Sequence, residues 1–430
     1  MDAELLAWLA GPDGREAIQR AASSAPPGPL TSEQRAAVLT QVDLAKQAGL
    51  IPGHWLLTRD GLEQATRPEV AARHAEHLAR VCTAAVDLGA GLGFDAAAII
   101  AAGLTVTAVE QDQVRLGCLR ANVPQARVIA GDLTDPAIRD QALADPHAVV
   151  FVDPGRRAQS RQADGRRAHP ERDPERWSPP WSFVLGIADR RKVVVKTAAG
   201  IPRSLIPEGW QAEWVSVNGV LLEALLTNTG ALGGTGQAAV RRSGHWHVLV
   251  RSSTDKINSD EFTSDGLTIA STVGALVHEV DPAVLAAKAT ATLADHLGAG
   301  SLTEDGRWLT SAVRPAPEHA AFVRSYSVIE ELPAQLPALR KALRARGITE
   351  AVIKSRGRDQ AQLRRALHLA EGSGPVLAFI DNRAAGRRGS GERAHSGLRS
   401  RVLHLGHLSQ RDSDDVKGQV PGVLGEQRQE

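Results

Sequence analysis

The stretch Val86-Asp87-Leu88-Gly89-Ala90-Gly91-Leu92-Gly93 constrains the fold of this chain more than any other. It joins a short buried-strand pattern, Ala84-Ala85-Val86-Asp87-Leu88, to a helical pattern from Asp95 to Ala102 through alternating glycines. Such glycines let a ligand approach the backbone and leave N–H groups free at a helix start. The alternation continues downstream. Thr105–Val109 is dense in β-branched residues, Val114–Asn122 reads as a helix, and strands follow at Arg127–Ala130, His147–Val152 and Lys192–Lys196. This predicts βαβ units, a parallel sheet, and right-handed crossovers that bring the strand ends to one edge.

Acidic residues recur at those strand ends. Asp87 precedes the glycines, Glu110 closes the second strand, and Gly131-Asp132-Leu133 follows the third. A dinucleotide fingerprint would read Gly-x-Gly-x-x-Gly, whereas this loop is Gly-x-Gly-x-Gly behind an acid. That pattern favours S-adenosylmethionine, whose ammonium and sulfonium want carboxylates rather than a pyrophosphate cradle. Glu110 is placed to take ribose hydroxyls, a feature shared with dinucleotide folds, and Asp132 to meet the adenine amine. The fourth strand ends in Asp153-Pro154-Gly155-Arg156-Arg157, where a methyl acceptor would sit. Asp153 could accept a hydrogen bond from it, Pro154 would fix the turn, and Arg156 or Arg157 could hold phosphate. Lys196 and Glu223 are further acceptor-site candidates, each also readable as an ordinary structural charge.

Charge is segregated. The net charge of +1 over 430 residues hides 12 Lys/Arg against 5 Asp/Glu in Arg156–Arg203, and 18 against 8 in Arg314–Arg411. Basic segments on an acidic body suit a polyanion, although solvated arginines on helix faces would look the same. Trp177 and Trp181 flank Ser178-Pro179-Pro180 beside the first basic segment. They could stack an unpaired base, or simply anchor a proline turn. Two cysteines make neither a disulfide framework nor a zinc site, and His245 and His247 lack further ligands, so no metal is expected. No run is long enough to span a bilayer and the start lacks a signal pattern, so a cytoplasmic protein is expected.

Four motifs in order, Thr58–Thr66 (TRDGLEQAT), the Asp87–Gly93 loop, Asp153–Arg157 and Trp177–Phe183 (WSPPWSF), resemble bacterial class I methyltransferases with a C-terminal THUMP-like domain. The resemblance spans roughly residues 1–385 and implies adenosylmethionine as donor and a C-terminal relative of RNA-binding domains. Carried over by position, Asp87, Gly89, Gly91, Glu110 and Asp132 would hold the cofactor, with Asp153 at the acceptor. From the residues themselves, Gly93 and Leu133 join the cofactor candidates, Pro154 the acceptor site, and Arg156, Arg157, Trp181 and Lys196 the substrate candidates. Gly155 departs mildly from the family's more usual alanine.

The expected architecture is α/β. A helical segment (1–80) precedes a Rossmann-like methyltransferase sheet (81–250), followed by a connecting region (251–323), the THUMP-like module (324–385) and a disordered tail (386–430). Cys82 lies before the first strand and Cys118 in a later helix, which disfavours a cysteine nucleophile. The Asp/Asn-Pro-Pro-aromatic signature of exocyclic amine methylation is also missing. Direct in-line transfer to a nitrogen or oxygen of tRNA or rRNA is the leading expectation. The rivals are an RNA-binding protein without activity and a small-molecule methyltransferase.

Overall fold

The computed structural model describes residues 2–155, 171, 173–252, 266–355, 358–380 and 400–408. Two compact units emerge. The first contains residues up to Val215 and Leu222–Gln237; the second contains Ser216–Leu221 and the described residues from Ala238 onward.

Five helices open the first unit: α1 (Ala3–Ala10), α2 (Pro12–Ala22), α3 (Ser32–Gln47), α4 (Arg59–Gln64) and α5 (Pro68–Ala79). Their starts follow the sequence. Thr31 and Gln34 form the reciprocal capping box of α3, and Pro68 opens α5, where a missing N–H is harmless. Then come β1 (Ala84–Leu88), α6 (Phe94–Ala101), β2 (Thr105–Glu110), α7 (Gln113–Asn122), β3 (Arg127–Ala130), α8 (Pro136–Ala142) and β4 (Val149–Val152). The unit closes with α9 (Trp181–Ala188), β5 (Val193–Ala198), β6 (Gln211–Val217) and β7 (Val220–Thr227).

These strands take the order β3-β2-β1-β4-β5-β7-β6 within a nine-stranded sheet. Strands β3, β2, β1, β4 and β5 run parallel, but β7 pairs antiparallel with β5. The parallel sheet expected from the alternating pattern is present in those five strands, and the antiparallel β7 makes the whole sheet mixed. The reason lies in Asn218-Gly219, both at positive φ (51° and 81°), which fold Trp210–Leu226 into two strands. Asn-Gly is the two-residue turn that matches strand twist, and it permits only an antiparallel return. A strand inserted between β5 and β6 also departs from the dinucleotide order 3-2-1-4-5-6.

The opening helices pack on the sheet's helical layer rather than standing apart. Leu9, Ile18, Leu44, Leu56 and Leu57 share one core with Leu92, Phe94 and Cys118, and Trp55 stacks on Phe94 at 4.3 Å. A second core under β1, β2 and β4 includes Leu78, Ile99, Val106, Leu119 and Phe151.

Beyond β7 the chain forms β8 (Gly236–Arg242), which enters the second unit at Ala238, then β9 (His245–Val250), β10 (Leu276–Val280), α10 (Pro282–Ala286), α11 (Thr290–Leu297), β11 (Gly300–Ser301) and β12 (Trp308–Ser311). It continues with α12 (Pro317–Ala320), β13 (Val323–Leu332), α13 (Leu336–Ala345), β14 (Val352–Ser355), α14 (Gln360–Leu367), β15 (Val376–Ile380) and β16 (Arg401–His407). One seven-stranded sheet, β11-β12-β10-β13-β16-β15-β14, links the expected connecting region and module without a break at residue 323. The disordered tail is corrected as well. Residues 401–407 form β16, inserted between β13 and β15, with Leu403 and Leu405 fully buried. Burial of that apolar run outweighs the turn-prone composition around it. No helix among the described residues is long and apolar enough to cross a membrane.

Candidate active site

Parallel pairing aligns the carboxyl ends of β1, β2 and β4: Leu88 lies opposite Val109 on one side and Val152 on the other. Asp87, Glu110 and Asp153 stand at or just past those strand ends. Gly91 (φ +58°) adopts a backbone conformation unfavourable to side chains, and a Cβ placed there would meet nothing within 4 Å. The loop is therefore open at Gly91, as a ligand cradle requires. At Gly93, also expected at the cofactor, a Cβ would lie 2.6 Å from Val123, so the glycine lets α6 start tight against α7.

Asp87 is 2% exposed, and its Oδ2 has no hydrogen-bond partner. Burial, with the nearby charges of Asp95 and Asp153, pushes its carboxyl well above the usual range, against the pull of Lys196. Such a group calls for a cation. Glu110 accepts from the Gly91 N–H at 2.9 Å, from the Asp112 N–H at 2.8 Å and from Arg115 at 3.2 Å. It thus secures the glycine loop while its remaining lone pairs can meet hydroxyls. Asp132, exposed just past β3, uses Oδ1 to cap Thr134 through both its N–H and hydroxyl, and Leu133 beside it is nearly buried. These features fit S-adenosylmethionine: an orphaned buried carboxylate, an open glycine cradle and acids at successive strand ends.

Past β4, the Asp153 Oδ2 is held by Lys196 Nζ from β5. The Asp153 side chain is 32% exposed and that of Lys196 12%. Burial opposes the lysine's charge, but Asp153, Asp95 and Glu223 overcome it and raise its pKa, so the ammonium persists. Pro154 is buried, and Gly155 exchanges backbone hydrogen bonds with Ser178 at 2.8 and 2.9 Å. Arg156 and Arg157 lie outside the described residues. Trp181 does not present a stacking face as expected: it is 3% exposed and packs edge-on against Trp177 at 5.9 Å. The pair anchors the proline turn.

Sequence reasoning missed the group beneath this edge. His74 of α5 is fully buried, with Nδ1 2.8 Å from Asp95 Oδ1 and Nε2 2.5 Å from Glu223 Oε1. The Thr66 hydroxyl donates to the other Asp95 oxygen at 2.5 Å. Burial disfavours the imidazolium, yet Glu223, together with the hydrogen bonds to both acids, pushes His74 up to about 10. Asp95 is correspondingly lowered: His74, Lys196 and Thr66 outweigh its burial. Two signals were available, the threonine ending TRDGLEQAT and the acid next to the glycine loop in Phe94-Asp95-Ala96. A second buried set joins Arg73, His77 and Gln237 to Glu213 and holds the glutamate near 2 despite its burial.

Residues 323–389 match the THUMP domain-like family. Over 343 residues, 77% of this chain and 86% of the relative, the chain is 29% identical to a Mycobacterium tuberculosis protein described as an uncharacterized S-adenosylmethionine-dependent methyltransferase, with the same match in strains CDC 1551 and H37Rv. Among solved structures, a methyltransferase candidate from Porphyromonas gingivalis W83 superposes with a TM-score of 0.66 at 17% identity, covering 92% of this chain and 98% of that one. The resemblance drawn from the motifs holds in those terms: a methyltransferase-type α/β fold, relatives described as S-adenosylmethionine-dependent, and a THUMP-like C-terminal domain.

Proposed function

We propose that this chain transfers a methyl group from S-adenosylmethionine to a nitrogen or oxygen of a structured RNA, a tRNA or rRNA, in the cytoplasm. The observation that carries the reading is the buried Asp87 carboxyl, whose Oδ2 has no hydrogen-bond partner, beside the open Gly91 cradle, with the Asp153–Lys196 pair just past β4 and within β5. When bound, the cofactor supplies an electrophilic methyl group. Asp87 would receive its positive charge, Glu110 the ribose and Asp132 with Leu133 the adenine. Asp153 would meet the acceptor, positioned by Pro154 and Lys196. Placing the acceptor in line and excluding water are the means of acceleration available to such a site.

A cysteine nucleophile has no support here. Cys118 is fully buried in the core shared with the opening helices, and burial pushes its thiol up to about 12. Cys82 donates to the Leu78 carbonyl on the amino side of β1, away from the carboxyl edge. RNA is favoured by the THUMP-like domain and by the exposed cations Lys341 and Arg344 of α13 and Arg365 of α14. Arg156 and Arg157 would add phosphate contacts near the acceptor.

The test is incubation of the purified protein with tritiated S-adenosylmethionine and bulk tRNA or rRNA, beside an Asp153→Ala control. Label in RNA that disappears with the control supports the reading. Cofactor binding without label in any RNA favours a small-molecule acceptor, and salt-sensitive RNA retention without cofactor binding favours an inactive binder.

A further inference from the structure

The Asp153–Lys196 pair does more than mark where an acceptor sits. Its two groups have opposite hydrogen-bonding characters, and the difference discriminates between acceptors. The Lys196 Nζ–Asp153 Oδ2 bond uses one carboxylate oxygen and one of three ammonium N–H groups, which leaves Oδ1 and two N–H groups to meet an acceptor. The pair therefore offers one strong acceptor and one strong donor side by side, just past β4 and within β5.

Three RNA acceptors can be compared with that couple. An unprotonated ring nitrogen only accepts: it has no proton for Asp153 and would face a carboxylate unpaired. An exocyclic amine chiefly donates, so it gives the remaining Lys196 N–H groups nothing to bond. A hydroxyl does both, donating to Asp153 Oδ1 while accepting from Lys196 Nζ. It is also the acceptor with most need of the pair, because it is a poor nucleophile until its proton begins to leave. Within an RNA chain the free hydroxyl of each internal nucleotide is the ribose 2′-hydroxyl.

We infer that the acceptor is a ribose 2′-hydroxyl of RNA, with Asp153 taking the proton and Lys196 stabilising the oxygen as it becomes negative. This rests on the RNA methyltransferase reading above and narrows it. The hydroxyl oxygen forms a bond to the methyl carbon as the carbon–sulfur bond breaks, its electron pair staying on a now neutral sulfur. The proton passes to Asp153 Oδ1 and then to water. Lys196 is not the base: Asp153, Asp95 and Glu223 together keep it charged. The His74 network contributes indirectly, since His74 bridges Asp95 and Glu223, two of the acids whose charge supports Lys196.

The deciding experiment labels bulk tRNA and rRNA with tritiated methyl donor using the full chain, then digests the RNA in alkali. Alkaline cleavage needs a free 2′-hydroxyl, so a 2′-O-methylated residue survives in a dinucleotide. Label in alkali-resistant dinucleotides is expected. Label confined to base-methylated mononucleotides overturns the inference while leaving the RNA reading intact. No label in any RNA, from protein that binds S-adenosylmethionine by calorimetry, overturns both.

Lys196→Met supplies a second readout. At saturating cofactor, transfer by this variant should fall by about 10²–10³, the usual loss for one oxyanion donor. Transfer within tenfold of the wild type by the folded variant would count against the role given to Lys196.

Discussion

Replacing His74 with Gln tests the electrostatics beneath the site. The imidazolium lies fully buried between Asp95 and Glu223. Removing one member of a buried ion pair strands its partners and costs about 3–5 kcal/mol. For a unit of this size that lowers Tm by about 6–20 °C, at 2–4 °C per kcal/mol. The dependence on pH is more diagnostic. His74 titrates near 10 when folded against 6.5 ordinarily, so the folded state holds the proton more tightly. The stabilisation is complete below about pH 6.5 and is lost as pH rises through about 10, amounting to roughly 5 kcal/mol in all. Urea denaturation followed by tryptophan fluorescence suits the question, because six of the eight tryptophans belong to the first unit. The stability gap between wild type and His74→Gln should narrow by several kcal/mol between pH 6.5 and 10. A gap that stays constant would show that His74 is neutral in the folded protein and would refute the reasoning.

Other expectations follow from single groups. Asp87→Asn should stabilise the free protein by about 1–3 kcal/mol near neutral pH, because an unpaired buried carboxylate becomes a neutral amide, and thermal melts would read it. Trp181→Ala should destabilise by about 3–5 kcal/mol, as for any large core truncation; a loss of RNA affinity at unchanged stability would contradict its burial. Ending the chain at residue 385 should unfold the second unit, since β16 lies between β13 and β15, and hydrogen exchange in Val376–Ile380 would report it. Gly93→Ala should cost more stability than Gly91→Ala, because its Cβ collides with Val123 whereas the one at Gly91 meets open space.

Much of the fold was legible in the sequence because it was written locally. The capping box at Thr31 and Gln34, the proline opening α5, and the β-branched runs before acidic strand ends each declare an element within a few residues. What escaped depended on distant partners. Val402-Leu403-His404-Leu405 is a short apolar run among Gly-, Arg- and Ser-rich residues, and only β13 and β15 on either side make it a strand. The Asn218-Gly219 turn is a local signal for the hairpin, but that β7 then pairs antiparallel with β5 depends on a strand more than twenty residues away. At the site, Asp87, Glu110 and Asp153 were identified because they sit at fixed places relative to strands. His74, Asp95 and Thr66 come from separate elements, and nothing in their spacing shows that they meet Glu223. Of the two readings open for Trp181, the structure favours the anchor of a proline turn. Aromatics beside arginines suggest stacking on a base, but the Trp177–Trp181 contact buries the very ring that would be needed.

Calorimetric titration with S-adenosylmethionine, run on the wild type and on Asp87→Ala, tests the central claim most directly. Saturable one-site binding by the wild type, lost in a folded Asp87→Ala variant, is the predicted result. A wild-type protein that melts cooperatively yet takes up no S-adenosylmethionine would contradict it.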